Sequence, residues 1–369
     1  MLHNGDVVVQ ENENSRLIQF FNQKFKDGTG SNIISDGNNF KQYHAISAES
    51  PNDLLPVAGS EYTFTLPTRG FVKDAFWSFE VEFSAPNVIQ EKLGLRIFSE
   101  SYLSSYGSQI MHTNFAHTNS RINELRETEQ DTVNTLTNGS GPLIAGTRIT
   151  FQVPIYMTFF EEGSSGLALD YFRSMTITGI FNPNTDMHDI SFFKPTLNVH
   201  ISYYDRDYQS DWILTNFPRG QSSSLLAYDV YQLVRPLNAA DTQTSILLNT
   251  NDLIFNLFIS IYESDFSQVD ISRVRLYKQN VLIIDSSKEV NVLFQRGHQN
   301  GLPGTEFNYN FGTSQVRNMF SGGLSLTSGP YKLLIDHSAT TSASLYINME
   351  NHLTLNVTES SRMVKDIIY

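Results

Sequence analysis

The chain has 369 residues, with 25 Lys or Arg against 38 Asp or Glu, so its formal net charge is −13 and its pI is near 5.1. This acidic balance argues against general nucleic-acid binding, which needs clustered cations, and we expect no specific nucleic-acid partner. Cysteine is absent, which excludes disulfides, thiolate nucleophiles and cysteine-ligated metals. Aromatic residues reach 12% and charged residues only 17%, a mix that favours strands and a large buried core.

Residues 1–45 differ from the rest of the chain and are predicted to form a short amphipathic helix followed by an arm. From Ser15 to Lys26 apolar residues recur at helical spacing, and every charged residue is basic. The apolar positions are Leu17, Ile18, Phe21 and Phe25, and the basic positions are Arg16, Lys24 and Lys26. Such a helix either packs on its own domain or faces an anionic membrane or an acidic partner, and the sequence leaves both interpretations open.

Residues 46–204 are predicted to form a first all-β unit, because their hydrophobic period is two. Alternation is clearest from Trp77 to Phe83, where polar residues occupy every second position, and the apolar positions repeat in the same way from Ile149 to Met157. Two segments depart from this period. A polar stretch at 120–132 and a shorter one at 166–173 are predicted to be helical.

Residues 205–224 are predicted to be a linker, because turn formers, an Asp cluster and a Ser run interrupt both periods. Asp205, Asp207 and Asp211 supply enough oxygen ligands for a calcium site. A solvated loop is the alternative interpretation of the same cluster, because runs of charge usually lie at the surface.

Residues 225–358 are predicted to form a second all-β unit, since strand periodicity restarts there. The segment from Leu253 to Ile261 alternates strictly, and a turn is expected at Asn351-His352 between the last two strands. Residues 359–369 are predicted to be a C-terminal tail. Two units of this size fit the chain length.

The sequence lacks the usual catalytic and metal-binding patterns. None of the nine histidines has His, Asp or Glu two positions later, and His112 and His117 are expected on opposite faces of one strand. The adjacent pair Glu161-Glu162 likewise points to opposite faces, which does not suit glycoside hydrolysis. Neither a GxSxG elbow nor a P-loop lysine is present. We therefore predict no enzyme, no cofactor and no metal site.

The order of several strings across residues 45–358 resembles the double jelly-roll major capsid proteins of tailless icosahedral viruses, the group of membrane-containing phages and adenovirus hexon. The first unit opens with LPTRGFVKDAFWSFEVEF, continues through RITFQVPIYMTFFEEGSSGLALDYFR and closes with TLNVHISYYDRDY. The second unit ends with SGPYKLLIDHS and SASLYINMENHLTLNV. The resemblance implies an all-β fold of two tandem eight-stranded jelly rolls behind the short N-terminal helix.

The same resemblance implies a structural role in a virion. It predicts homotrimers of pseudo-hexagonal outline that tile an icosahedral shell beside neighbouring capsomers, penton and minor capsid proteins, over an internal lipid membrane. On this interpretation the basic helix of the N-terminal arm faces the membrane or the inner side of the shell. The alternative is a trimeric phage spike or a carbohydrate-binding tandem β-sandwich, which would expose aromatic platforms. The two tryptophans, Trp77 in a strand pattern and Trp212 in the linker, weaken that alternative.

Overall fold

The computed structural model describes the greater part of the chain from residue 40 onward. The described residues are 40–47, 56–68, 70–85, 92–125, 127–139, 143–160, 167–169, 172, 174–182, 189–203, 223–238, 241–248, 250, 253–263, 267–291, 305–312, 322–339, 342–357 and 363–367. The predicted helix at 15–26, the pair Glu161-Glu162, the Asp205, Asp207 and Asp211 cluster and Trp212 lie outside them, so these features stay predictions.

The first half of the described chain consists of two antiparallel sheets. Its strands are β1 (Phe40–Ser47), β2 (Glu61–Thr65), β3 (Phe71–Phe83), β4 (Phe98–Ser105), β5 (Ser108–Asn114), β6 (Arg148–Pro154), β7 (Leu167–Ala168), β8 (Met175–Phe181) and β9 (Ile190–Tyr203). Strands pair in the order β1-β9-β3-β6 in one sheet, sheet 1a, with β7 also on β3, and in the order β2-β8-β4-β5 in the other, sheet 1b. Helices connect some of these strands: α1 (Leu93–Ile97), α2 (Phe115–Asn123), α3 (Glu127–Asn138) and the 3-10 turn η1 (Thr158–Phe160).

The second half repeats this arrangement. Its strands are β10 (Ser223–Leu237), β11 (Gln243–Leu248), β12 (Leu253–Glu263), β13 (Ile271–Lys278), β14 (Val281–Ser287), β15 (Glu306–Asn310), β16 (Leu324–Ser325), β17 (Tyr331–His337), β18 (Ala343–Val357) and β19 (Met363–Ile367), with the 3-10 turn η2 (Leu326–Ser328). Sheet 2a has the order β10-β18-β12-β15, with β16 on β12 and β19 on β18, and sheet 2b has the order β11-β17-β13-β14.

The two halves share one strand topology. If the two-residue strands β7 and β16 and the C-terminal β19 are set aside, eight strands remain in each half. Counted along the chain, those eight pair in the orders 1-8-3-6 and 2-7-4-5 in both halves. Eight antiparallel strands in two facing sheets form a jelly roll. We call β1–β9 the first roll and β10–β19 the second roll.

Each roll has an apolar core between its two sheets, as the alternating pattern predicts. In the first roll Trp77 and Phe79 of β3 pack edge-on against Phe98 of β4, with ring centroids 5.0 and 4.7 Å apart. The first core also contains residues from the second roll, namely Ala227, Leu353, Leu355, Val357 and Met363. The start of β10, the end of β18 and Met363 of β19 therefore attach the second roll to the first.

Two local predictions from the sequence are wrong. Residues 167–168 form a strand rather than a helix, because Leu167 and Ala168 pair with the start of β3 and are buried. The expected turn at Asn351-His352 is the middle of β18, where both residues pair with β10 and are buried. Adjacent polar residues are typical of a turn at the surface, but Asn351 and His352 are polar residues buried within a strand. The helical prediction for 120–132 is confirmed by α2 and α3.

The outer strands also extend past the predicted unit boundaries. β1 begins within the segment predicted as the arm, and β19 lies within the segment predicted as the tail. The burial of Met363 explains why β19 is ordered against β18, since its side chain is completely enclosed.

Candidate functional site

Helix α2 of the first roll lies on the outer face of sheet 2a, and together they form a contact that we call the inter-roll junction. The helix begins directly after β5, where the Asn114 side chain accepts a hydrogen bond from the backbone N–H of His117 at 2.9 Å. Such a cap satisfies one of the free N–H groups of the first turn. Eight of the nine helix residues are buried, so this short and mostly polar helix is enclosed by protein.

The centre of the junction is a buried pair of ionisable side chains. His117 Nε2 donates to Glu350 Oε1 on β18 at 2.8 Å, and both side chains are 0% exposed. Asn256 on β12 donates to the other carboxylate oxygen at 2.6 Å. Beside this pair, the Asn114 amide donates to Asn348 Oδ1 at 2.9 Å. The helix thus contacts the sheet through directional bonds, which fix its register as well as its distance.

A second carboxylate, Glu306 on β15, is buried at the far end of α2. It accepts hydrogen bonds from Asn119 at 3.1 Å, Asn123 at 3.0 Å and Gln268 at 2.9 Å. Burial raises the pKa of Glu306, and these amide donors oppose that effect. Burial likewise holds the pKa of the neighbouring Tyr262 well above its ordinary value. Two helix residues and one residue of the connection between β12 and β13 therefore share a single buried carboxylate.

A third polar cluster joins β5 to β10. The backbone N–H of His112 donates to Asp229 at 2.7 Å, and its ring Nδ1 donates to the Val230 carbonyl at 2.9 Å. Burial acts to lower the pKa of His112, but the hydrogen bonds to Glu100 and Val230 and the charges of Asp229 and Glu100 raise it overall. Lys365 of β19 forms an ion pair with Asp229, so the C-terminal strand belongs to the same cluster.

The junction holds the two rolls together through buried hydrogen bonds between α2 and sheet 2a. Among the described residues, no group of three or more His, Cys, Asp or Glu side chains could hold a metal ion. Within the same part of the chain, no helix is long and apolar enough to cross a membrane. The acidic groups at its centre accept hydrogen bonds from amide and imidazole donors, as buried polar groups must.

The structure corrects one prediction about the histidines. His112 and His117 do not lie on opposite faces of one strand, because β5 ends at Asn114 and His117 belongs to α2. Both side chains reach the second roll instead.

Sequence reasoning missed Asn256, Asn348 and Glu350 as contact residues. The feature that could have identified them is a polar residue within an otherwise apolar strand, such as Asn256 or Ser260 in β12. Both faces of β12 are buried, but the sequence predicts only the face that packs in the core of the second roll.

Comparisons with known proteins concern the fold. No family model and no curated protein matches this sequence. VP54 of PBCV-1 matches with a TM-score of 0.71 at 10% identity, covering 90% of this chain and 97% of that one. The Faustovirus major capsid protein matches with a TM-score of 0.63 at 9% identity, covering 97% of this chain and 99% of that one. The STIV major capsid protein has a TM-score of 0.54 at 11% identity, with 84% and 96% covered.

The chain has the double jelly-roll fold. The match extends over both rolls, because nearly the whole length of each chain is covered. The sequence-based prediction of an all-β double jelly roll is therefore confirmed. In this double jelly roll the inter-roll junction holds the two units in one arrangement.

Proposed function

We propose that this protein is a major capsid protein, a structural and non-enzymatic component of an icosahedral virion. The observation that carries the proposal is the pair of rolls with identical strand topology, joined by a buried polar junction. The similar solved structures support it, because they are viral capsid proteins with the same double roll. A shell protein needs a rigid building unit, and a fixed junction between the rolls supplies one.

The proposed assembly is a homotrimer, since three copies of two similar rolls give six similar corners and a pseudo-hexagonal outline. In this proposal the two rolls are the predicted units 46–204 and 225–358, extended by the start of β1, the start of β10 and β19, and the segment predicted at 205–224 links them. Trimers would contact neighbouring capsomers, and penton and minor capsid proteins would complete the shell. Interfaces of this permanent kind are large and well packed.

The mass of the purified protein tests the proposal directly. Native mass spectrometry and light scattering at micromolar concentration are expected to give three times the chain mass of 41.8 kDa. Negative-stain electron microscopy should show particles with a six-cornered outline. A monomer at that concentration, or particles of two-fold shape, would contradict the proposal.

The alternative of a spike or carbohydrate-binding module receives no support from the described tryptophan. Trp77 is 2% exposed, and its indole N–H donates to Ser101 at 3.0 Å inside the first roll. A carbohydrate platform would need an exposed ring of this kind.

Residues 1–30 are proposed, on their sequence alone, to lie on the inner side of the shell, where the helix at 15–26 faces an internal membrane or neighbouring subunits. Each cation near an anionic lipid surface contributes about 1 kcal/mol, so Arg16, Lys24 and Lys26 together contribute about 3 kcal/mol. Changing all three to Glu should leave trimers intact but impair particle assembly or membrane retention. Lys194→Glu, an exposed change in sheet 1a, is the control. Normal assembly of the triple variant would overturn this part of the proposal.

A further inference from the structure

One end of the molecule is where the chain leaves toward its N-terminal segment, and we call it the arm end. The first strand of each roll starts there and the last strand of the eight finishes there, with Phe40 opposite Tyr203 in the first roll. Strands β2, β4, β11 and β13 all run toward this end, so the turns after β4 and β13 lie there too. The two rolls share the arm end, because the Met363 backbone N–H beside the end of β18 donates to Ser105 at the end of β4 at 3.3 Å.

The outer face of sheet 2b has a row of side chains one residue from the arm end, which we call the arm-end row. Leu247 lies opposite Lys332, which lies opposite Tyr277 on the next strand. Tyr277 in turn lies opposite Leu282, so the row crosses all four strands. Leu247 is 53% exposed and Leu282 is 47% exposed, and Val281 at the tip beyond them is 67% exposed. The second roll thus presents an apolar surface to solvent at this end.

The first roll has polar residues at the same four positions. Its sheet 1b has the same strand order, and the register shifts at the same place, after Leu103 in β4 and after Leu276 in β13. The corresponding row consists of Thr65, Thr176, Ser104 and Gln109. A jelly roll therefore does not need apolar side chains at these positions. Their exposure in the second roll is typical of a surface that contacts something else.

The charges around the arm-end row are mostly basic. Lys332 belongs to the row, and Lys278 lies one position closer to the arm end. Within the four described strands, neither of these two rows contains an acidic residue. Asp285 and Asp336, on the same face, lie further from the arm end, and each forms an ion pair with an arginine. A second copy of this surface would bring lysines together, so the row is better suited to an anionic and apolar partner.

We propose that the arm end of the second roll lies on an anionic lipid surface, with the arm-end row and Val281 inserted at the headgroup boundary. The inference rests on the proposed capsid role and adds a lipid contact on the folded domain to the one proposed for residues 1–30. Strand residues are about 3.3 Å apart, so the row and the tip beyond it occupy about 7 Å. Amphipathic elements bury about 5–10 Å into this boundary, which includes both lysines. The predicted basic helix at 15–26 connects to Phe40 at the same end, so both basic features face one surface.

A depth probe tests the contact, because the chain has no cysteine of its own. The purified trimer with Leu282→Cys is labelled with a solvent-sensitive nitrobenzoxadiazole dye and mixed with phosphatidylcholine vesicles that contain about one third phosphatidylserine. The dye emission should shift to the blue and be quenched by spin-labelled lipid. The matched control is Val57→Cys, because Val57 is 67% exposed but precedes the turn that bonds to Phe181 at the opposite end. Its emission should not change.

Replacing the row by its first-roll counterpart tests the residues themselves. The row variant combines Leu247→Thr, Lys332→Thr and Leu282→Gln, and flotation measures its partitioning onto the same vesicles. Both it and its parent carry Arg16→Glu, Lys24→Glu and Lys26→Glu, which remove the contribution of the N-terminal segment. The row variant should partition at least about tenfold more weakly, because each chain loses one cation and two apolar side chains. The control, Val57→Thr with Ile144→Thr, removes two exposed apolar side chains at the opposite end and should partition as the parent does.

The outcomes separate this inference from the capsid proposal. Light scattering and thermal melting of the variants establish that they fold and assemble as the parent does. A dye at position 282 that stays exposed to water, or equal partitioning of the row variant and its parent, would overturn the lipid contact and leave the homotrimer standing. A benzophenone at the same position that cross-links to a protein rather than to lipid in assembled particles would also overturn it. A monomeric parent would refute the homotrimer, whereas the dye would still report on the lipid contact.

Discussion

Removing the imidazole of His117 should destabilise the protein strongly. The change His117→Ala takes away one of the donors to Glu350, whose side chain is 0% exposed and would retain the Asn256 bond. Breaking a buried pair by removing one partner costs about 3–5 kcal/mol, because the buried carboxylate loses a charge-assisted hydrogen bond. Arg121, whose Nε lies 4.0 Å from Glu350 Oε1, stays in place in this variant. The matched control is His200→Ala, which breaks the ion pair with Asp74 at 3.1 Å between partly exposed side chains. Exposed pairs contribute about 0–1 kcal/mol.

Urea unfolding at fixed protein concentration measures both variants, because assembly would otherwise shift the apparent stability. The free energy of unfolding of His117→Ala should fall by about 2–5 kcal/mol more than that of the control. Adding Glu350→Gln removes the buried charge, so the double variant should be more stable than His117→Ala alone. If His117→Ala and His200→Ala lose the same amount, the buried pair does not hold the rolls together and the argument fails.

Two further measurements test buried residues of β18 and β19. Burial lowers the pKa of His352, which stacks on Phe255 with centroids 4.1 Å apart, to about 4. When folding lowers the pKa of a histidine, protonation favours the unfolded state at pH values below the ordinary pKa near 6.5. The free energy of unfolding should therefore fall by up to about 3 kcal/mol as the pH drops from 6.5 to 4. His352→Phe should therefore flatten the dependence of urea unfolding on pH between 4 and 6.5, and an unchanged slope would refute this. Met363→Ala should lower the free energy of unfolding by about 2–5 kcal/mol, since the residue is completely buried in the first core. The control Val281→Ala, at a position 67% exposed, should change it by less than about 0.5 kcal/mol, and equal effects would show that β19 is not part of that core.

The sequence predicted the sheets well and the contact between the rolls poorly. Alternation locates strands such as β3 and β6, because a strand with one buried face imposes a period of two. In β12 and β18 the second face is also buried, but by polar groups of another domain. A polar residue within a strand has the same appearance in sequence whether water or a helix cap covers it. Asn351-His352 was assigned to a turn for that reason.

The internal correspondence of sheets 1a and 2a escaped the sequence for a related reason. Only outward-facing positions such as Phe76 and Phe258 match, and they alternate with core residues that differ, for example Trp77 and Ile259. Core positions tolerate exchange among apolar residues when volume is conserved, so a continuous repeat is not retained. The two sheets are aligned by their register shifts, between Val72 and Asp74 in β3 and between Ile254 and Asn256 in β12.

The polarity of the outer face of sheet 2a has a physical explanation. Sheet 2a is covered within its own chain and could carry apolar residues, yet it retains Asn348 and Glu350 at full burial. Buried polar groups that are hydrogen-bonded specify a single geometry at some cost in stability.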